Sequence, residues 1–177
     1  METCLPNQLK REGWNVVGFH GFNGEFYVRT SWWPTIGIGN FFFLESDTIR
    51  SLSRCGSTFS GACDSELVRV AASMIGSRRD FIYVLTLNTH FPIPRTEVSS
   101  RFKSLCKAAN LSREVCSHNY RINLVLESIL ENLKKSGVSP IIVITGDHPP
   151  PFSKLDDRNK FVSNEVPGFI LKPFLSY

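Results

Sequence analysis

The segment from Ile141 to Pro151 reads IIVITGDHPPP: an apolar, β-branched run, then a glycine, a carboxylate, an imidazole and three prolines. A short apolar run bounded by turn residues is typical of a strand that is buried on both faces. The prolines directly after His148 exclude an ordinary helix start and stiffen the turn. We therefore predict a buried strand over 141–145 that ends on a rigid turn carrying Asp147 and His148.

Strands and helices alternate along the rest of the chain. Apolar runs predict strands at 15–19, 41–44, 81–87 and 166–171, and helical spacing or helix-end signals predict helices at 5–13, 64–77 and 120–135. Asp64 is predicted to cap the second helix, and the segment from 92 to about 117 is polar and carries one cysteine pair. The order strand, helix, strand, helix, strand predicts the α/β class, with a layered sheet and one domain over residues 1–177.

The composition bears on the class of protein. The 177 residues carry a net charge of +4 from scattered basic side chains, which does not indicate nucleic-acid binding. The excess is compatible with a small anionic substrate or an anionic membrane surface. No apolar run reaches the roughly 18 residues of a membrane helix, and no signal-peptide pattern follows Met1. The sequence as it stands predicts a soluble chain without an export signal of its own.

Five cysteines bear on the compartment. Cys55 and Cys63 bracket one turn-forming stretch, Cys106 and Cys116 bracket another, and neither pair has the short spacing of a metal site. Two local disulfides would place the protein in an oxidising compartment. Five free, buried thiols are the alternative, and Cys4 is left over from the two pairs.

Three of the four histidines follow predicted strands: His20 after the strand at 15–19, His90 after that at 81–87, and His148 after that at 141–145. Ligands of open α/β sheets bind beyond the carboxyl ends of the strands, so three converging histidines predict a polar ligand site there. A lone histidine in such a place is more often held structurally by a backbone hydrogen bond. His118 lies near a helix entrance and suits a cap or a surface position.

Asp147 and His148 are the candidate metal ligands. Carboxylate oxygen and imidazole nitrogen are standard ligands of zinc and manganese, with magnesium as a further choice. Because they are adjacent on a tight turn, both side chains can reach one cation. The alternative is an aspartate cap beside a loop histidine.

Tyr27 and Arg29 form a second candidate group. They are two residues apart, so an extended chain would place both on one face. The planar guanidinium suits phosphate, and the phenol can donate a hydrogen bond or stack beside it. The alternative is an ordinary solvated strand surface.

Five segments resemble, in order, motifs of lipoteichoic acid synthases and related phosphoglycerol and phosphoethanolamine transferases of the alkaline phosphatase and sulfatase superfamily. They are the helix from Cys4 with the following Phe19-His-Gly21, Phe26-Tyr-Val-Arg29, Phe59-Ser-Gly-Ala-Cys-Asp-Ser-Glu-Leu67, Thr86-Leu-Asn-Thr-His-Phe-Pro92 and Ile142-Val-Ile-Thr-Gly-Asp-His148. The resemblance covers nearly the whole chain. It implies the C-terminal portion of a layered α/β/α alkaline-phosphatase-like sandwich.

The resemblance also implies a role for each matching residue. Those roles are metal ligation by Asp147 and His148, contact with substrate or leaving group by His90, and phospho-group binding by His20, Tyr27 and Arg29. Tyr27 stands where some members have tryptophan, a difference that bears on the headgroup. The three prolines after His148 replace a commoner glycine or tyrosine.

The activity so implied is metal-dependent transfer of phosphoglycerol or phosphoethanolamine from an anionic phospholipid-type donor to a cell-envelope glycan. It would take place in the periplasm or on the extracytoplasmic face of the membrane. The family's nucleophilic threonine, a further acidic ligand and the membrane helices have no counterpart in the 177 residues. The resemblance thus implies part of a larger enzyme that needs an N-terminal segment. A sulfatase- or phosphatase-like hydrolase fragment and a non-catalytic remnant are the alternatives.

Overall fold

The structure, a computed structural model, describes residues 3–56, 58–76, 79–92, 98–137, 139–161 and 165–172. Its elements are, in chain order, α1 (Leu5–Arg11), β1 (Asn15–His20), a 3-10 turn (Phe26–Val28), α2 (Arg29–Thr35), β2 (Asn40–Phe42), α3 (Asp47–Arg50), β3 (Arg54–Cys55), β4 (Gly61–Ala62), α4 (Asp64–Ser73), β5 (Asp80–Leu85), α5 (Ser100–Ala108), α6 (Arg113–Ser136), β6 (Ile142–Thr145), α7 (Leu155–Arg158) and β7 (Gly168–Leu171). Within these ranges no helix combines the length and the apolar character that crossing a membrane requires.

The centre of the fold is a parallel three-stranded sheet in the order β2-β1-β5. β1 is buried along its length except at Asn15, because it has a hydrogen-bonded neighbour on each edge and helices on both faces. Its pairing with β5 runs in register from Asn15 opposite Asp80 to His20 opposite Leu85. The carboxyl ends of β1 and β5 therefore lie side by side.

Alternate residues of β1 enter two cores, one on each face of the sheet. Phe19 packs with Leu67 of α4 on one face, and Val16 packs with Trp33 of α2 on the other. Gly18 allows this second contact, since a Cβ there would lie 2.6 Å from the Trp33 ring. Helices on both faces of a parallel sheet confirm the predicted α/β class and its layers.

The polar segment from 92 to about 117 contains α5 and the first turn of α6, for which the sequence predicted no helix. Ser99 and Ser112 cap these helices, each hydroxyl accepting the N–H of the residue three positions further on. α5 is polar overall and buries Cys106 alone among its residues, so the composition of the segment does not reveal the helix.

Both predicted disulfides are formed. Cys106–Cys116 joins α5 to α6, and Cys55–Cys63 joins β3 to the residue before α4. Cys4 is a free thiol. The second of these bridges ties the 55–63 loop to the start of α4, next to the carboxyl end of β1, where the candidate site lies.

Strand β6 confirms a predicted strand but contradicts its predicted burial. Among the described strands it pairs with β7 alone, as an antiparallel ribbon separate from the parallel sheet. Val143, Phe169 and Ile170 are each more than half exposed. The apolar run predicts a strand correctly, whereas burial depends on an element that covers it, and the described residues supply none for these side chains.

Candidate functional site

His20 ends β1 and lies at the carboxyl edge of the parallel sheet. The side chain is 1% exposed, and its Nδ1 lies 2.9 Å from the carbonyl oxygen of Leu85 on β5. Because a carbonyl only accepts, Nδ1 carries the proton and Nε2 keeps a lone pair, which has no partner within the described ranges. Burial lowers the pKa of His20 to about 4, although the hydrogen bond to the Leu85 carbonyl acts in the opposite direction and raises it. The ring is therefore neutral at pH 7 and offers a buried acceptor.

Arg29, the first residue of α2, is a nearly buried cation with 8% exposure. Its Nη1 donates to the carbonyl of Phe26 at 2.6 Å, and the guanidinium lies over the Phe26 and Tyr27 rings, 5.6 and 5.2 Å from their centroids. Burial lowers the pKa of the guanidinium. No carboxylate of the described residues forms an ion pair with it. A buried guanidinium without a counter-charge suits an anionic ligand.

The predicted extended geometry of Tyr27 and Arg29 is wrong. The chain forms a 3-10 turn there, and Tyr27 and Val28 have φ values of 57° and 54°. Left-handed backbone is rare at non-glycine residues and strained at a β-branched one. The turn leaves Tyr27 71% exposed and places its ring beside the inward-facing Arg29. The two side chains are neighbours through a cation–π contact, not through a shared strand face.

His90 lies on the turn that follows β5. Its N–H donates to the carbonyl of Leu87 at 2.9 Å, and its Nδ1 lies 2.5 Å from the carbonyl of Phe91. The same reasoning as for His20 places the proton on Nδ1. The side chain is exposed, so Nδ1 orients the ring while Nε2 remains accessible to a ligand.

The sheet-end residues surround one aromatic cluster, formed by Phe22, Phe26 and Phe59. Within it, the Phe59 ring lies 5.9 and 5.6 Å from those of Phe22 and Phe26. Phe59 also contacts the His90 ring at 4.6 Å, and Phe22 lies 6.5 Å from the His20 ring. Since Phe26 lies against Arg29, the structure brings three of the predicted site residues together: His20, Arg29 and His90.

Asp147 and His148 lie on an exposed turn after β6. Asp147 Oδ1 accepts the His148 N–H, His148 Nδ1 lies 3.1 Å from the Pro149 carbonyl, and Asp147 Oδ2 lies 3.6 Å from His148 Nε2. Two ligands about 2.1 Å from a tetrahedral zinc are about 3.4 Å apart, so the pair fits adjacent positions around one cation. The described part of the chain holds no group of three or more metal-ligating side chains. The pair therefore fits part of a metal centre without completing it.

Tyr83 of β5 relates this turn to the rest of the site. Burial raises the pKa of its hydroxyl, Arg29 lowers it, and Asp147 raises it. Both charges act on the same phenol, so the Asp147 turn and Arg29 lie within electrostatic reach of one side chain on the central sheet.

Two charged residues outside the predicted site hold the turn before His90. Asp64 is completely buried and accepts the N–H groups of Leu87 and Asn88, while Arg121 Nη1 donates to the Asn88 carbonyl at 2.7 Å. The prediction of Asp64 as a helix cap is wrong: the cap position is Cys63. The position of Asp64 within the 59–67 motif is a sequence signal for its role. No sequence signal points to Arg121, because it reaches the turn from a helix that is distant in the sequence.

The comparisons with known proteins agree with this fold. A family model described as Sulfatase matches residues 1–176, and the chain belongs to the Sulfatase family. Similar solved structures include the lipoteichoic acid synthase LtaP from Listeria monocytogenes (TM-score 0.65, 18% identity, 97% of this chain and 46% of that one) and the Streptococcus pyogenes phosphoglycerol transferase GacH in complex with sn-glycerol-1-phosphate (0.62, 17%, 90% and 43%). An alkaline phosphatase superfamily protein from Vibrio parahaemolyticus is also similar (0.64, 14%, 96% and 41%).

These comparisons confirm the predicted superfamily and its α/β fold. At identities of 14–18% the structural likeness concerns the fold. The chain spans less than half the length of each of these three proteins. A comparison with curated proteins finds no match.

Proposed function

We propose that the chain forms the headgroup-binding and metal-ligating part of a transferase that moves phosphoglycerol or phosphoethanolamine from an anionic phospholipid-type donor to a cell-envelope glycan. The observation that carries this proposal is Arg29. A guanidinium that is 8% exposed and has no carboxylate partner in the described ranges is best stabilised by an anion that enters from solvent.

His20 supplies the complementary contact. Its neutral ring holds an unpartnered, buried Nε2 lone pair, which accepts a hydrogen bond from a headgroup hydroxyl or ammonium. Tyr27, exposed beside Arg29, covers the bound headgroup. The Arg29 guanidinium donates and His20 Nε2 accepts at the same edge of the sheet, an arrangement that suits a phospho-headgroup with a polar substituent.

His90 is the proposed proton donor to the leaving alcohol. The Phe91 carbonyl accepts from Nδ1–H, which fixes the ring orientation and leaves Nε2 as the atom that carries the transferred proton. As a nucleophile from outside these residues forms its bond to phosphorus, the phosphorus–oxygen bond to the donor breaks, and that proton passes to the departing oxygen. The acceptor hydroxyl, or water, later takes the phospho-group.

Asp147 and His148 would hold the divalent metal ion, with zinc or manganese favoured by the oxygen and nitrogen donors. When bound, such an ion activates a nucleophile and neutralises phosphate charge. We propose that the nucleophile and the remaining ligands come from outside these 177 residues. The two disulfides support an oxidising, extracytoplasmic location.

Titration with sn-glycerol-1-phosphate tests the headgroup site. We expect shifts in the NMR signals of the Arg29 side chain and the His20 ring, and Arg29→Gln to weaken binding by about tenfold or more because a charge-assisted hydrogen bond is lost. Arg101→Gln, at an exposed position of α5, is the matched control and should bind normally. Equal weakening by both variants would reject the site. Stronger binding of a sulfate monoester than of the phosphate would favour a hydrolase.

Metal titration tests the Asp147–His148 pair. Catalytic zinc sites use three protein ligands, so two should give weak binding, on the order of tens of micromolar or poorer. Asp147→Ala should abolish it, whereas Asp156→Ala, an exposed acid on α7, should not. We also expect no hydrolysis of a chromogenic phosphodiester by the 177-residue chain. Robust turnover that disappears in Asp147→Ala would contradict an external nucleophile.

A further inference from the structure

The turn that carries His90 is held by a carboxylate from a different element. Asp64 starts α4, has no solvent exposure, and directs its carboxylate to the turn. The Leu87 N–H donates to Oδ1 and Oδ2 at 2.9 and 3.1 Å, and the Asn88 N–H donates to Oδ2 at 2.7 Å. Two consecutive backbone donors thus share one buried carboxylate. Removing it would leave both unpaired in the interior.

The Asn88 side chain in turn binds the backbone of Asp64. Its Oδ1 accepts the Asp64 N–H at 2.6 Å, so the two residues exchange hydrogen bonds in both directions. Its carbonyl accepts from Arg121 Nη1 at 2.7 Å. The turn is therefore held by an anion from α4 and a cation from α6, each bonded to backbone atoms of the same residue.

These hydrogen bonds also connect to the backbone of His90. The His90 N–H donates to the carbonyl of Leu87, whose own N–H is bound by Asp64. His118 of α6 packs on the other side, with its ring 5.4 Å from that of Phe91. A change at the carboxylate is transmitted to the imidazole over two backbone hydrogen bonds, without any flexible segment between them.

We propose that Asp64 and Arg121 are positioning residues that fix the place of the His90 imidazole. The inference rests on the proposed function only for the proton transfer assigned to His90. A purely helical role for Asp64 does not account for the contacts, since its carboxylate bonds the turn and not the first-turn N–H groups of α4. A neutral residue could pack there at lower cost, because burying a carboxylate is expensive without several strong partners.

The ionisation of Asp64 provides a readout. Burial raises its pKa to about 6, opposed by the Leu87 and Asn88 N–H groups and by Arg121. Arg121 of α6 is a charged side chain that acts on Asp64, and burial together with Arg121 lowers the pKa of His118 on the same helix. Protonation near pH 6 removes charge from the shared acceptor, so the hydrogen bonds to the Leu87 and Asn88 N–H groups weaken while the cost of burying the charge is relieved.

NMR on the 177-residue chain between pH 4.5 and 8 tests the proposal. We expect the backbone amide signals of Leu87, Asn88 and His90 to move together with a midpoint near the pKa of Asp64, about 6. In Asp64→Asn that shared transition should disappear, and the Asn88 amide should exchange with solvent on the order of tenfold faster because its hydrogen bond is weaker. Arg121→Gln should also speed the solvent exchange of the Asn88 amide, and Arg121→Lys should speed it less because lysine keeps the positive charge.

Glu66→Gln, two residues from Asp64 on α4 and bonded to Ser53 instead of the turn, is the control and should leave these signals at their wild-type positions. His90 ring signals of Asp64→Asn that superimpose on wild type at every pH would overturn the proposal. If neither variant folds, the wild-type titration decides alone: independent movement of the His90 amide and the Leu87 and Asn88 amides overturns the proposal. None of these measurements needs a substrate, so a failure of headgroup binding would reject the proposed function without altering this result.

Discussion

Trp33→Ala should lower the free energy of unfolding by about 3–5 kcal/mol, the range for large aromatic side chains removed from a core. Trp33 has no solvent exposure, and its ring lies 4.8 Å from that of Phe43 and 5.6 Å from that of Tyr83. It fills the space between α2 and β1 that Gly18 leaves open. Urea denaturation followed by circular dichroism measures the change.

The same substitution should also impair the headgroup site, because Trp33 fixes α2 and Arg29 starts that helix. Trp32→Ala is the matched control. Trp32 is 40% exposed and donates one exposed hydrogen bond to the carbonyl of Tyr27, so the expected loss is about 1 kcal/mol. Comparable losses for the two variants would contradict the packing described for α2.

His20 and Asp64 should give stability opposite dependences on pH. The folded pKa of His20 is lowered from 6.5 to about 4, so its contribution is full above pH 6.5 and is lost as the pH falls towards 4. The folded pKa of Asp64 is raised from 3.8 to about 6, so its contribution is full below pH 3.8 and is lost as the pH rises through 6. At about 1.4 kcal/mol per pKa unit, each effect is on the order of 3 kcal/mol.

Two variants separate these opposed contributions. His20→Asn keeps a donor for the Leu85 carbonyl and should gain stability relative to wild type as the pH falls from 6.5 to 4. Asp64→Asn should lose stability relative to wild type over the same range. Wild type combines both effects, which largely cancel. Unfolding free energies measured at several pH values give the two difference curves, and slopes of the same sign would show that one of the two ionisations is misassigned.

Sequence patterns predicted those features that depend on residues close together in the sequence or on side chains that are fully buried. β1 lies between two parallel partners and is buried, as its apolar run predicts. The apolar run at 81–87 also predicts a buried central strand, but β5 is half-buried and pairs, among the described strands, with β1 alone. Their ends follow directly, and with them the positions of His20 and His90 at one edge of the sheet. The spacing of the four paired cysteines likewise indicated both disulfides, because each pair closes a short loop.

Other features depend on partners far away in sequence. β6 reads as a buried strand, yet its side chains are largely exposed, because an apolar run does not specify what covers it. The sequence predicts an extended chain with Tyr27 and Arg29 on one face, yet two consecutive residues with left-handed backbone turn Arg29 inward. Asp64 reads as a cap, yet its carboxylate serves a turn 23 residues further along the chain.

The sequence by itself determined the α/β class, the strand-end histidines, the Asp147–His148 pair and the resemblance to the superfamily, because periodicity and short motifs are local properties. Only the tertiary structure decided that Arg29 is a buried cation, that His20 is a neutral acceptor, and that Asp64 and Arg121 hold the turn of His90. Burial and long-range hydrogen bonds set the charge and orientation of a side chain, and both exist only once distant segments have come together.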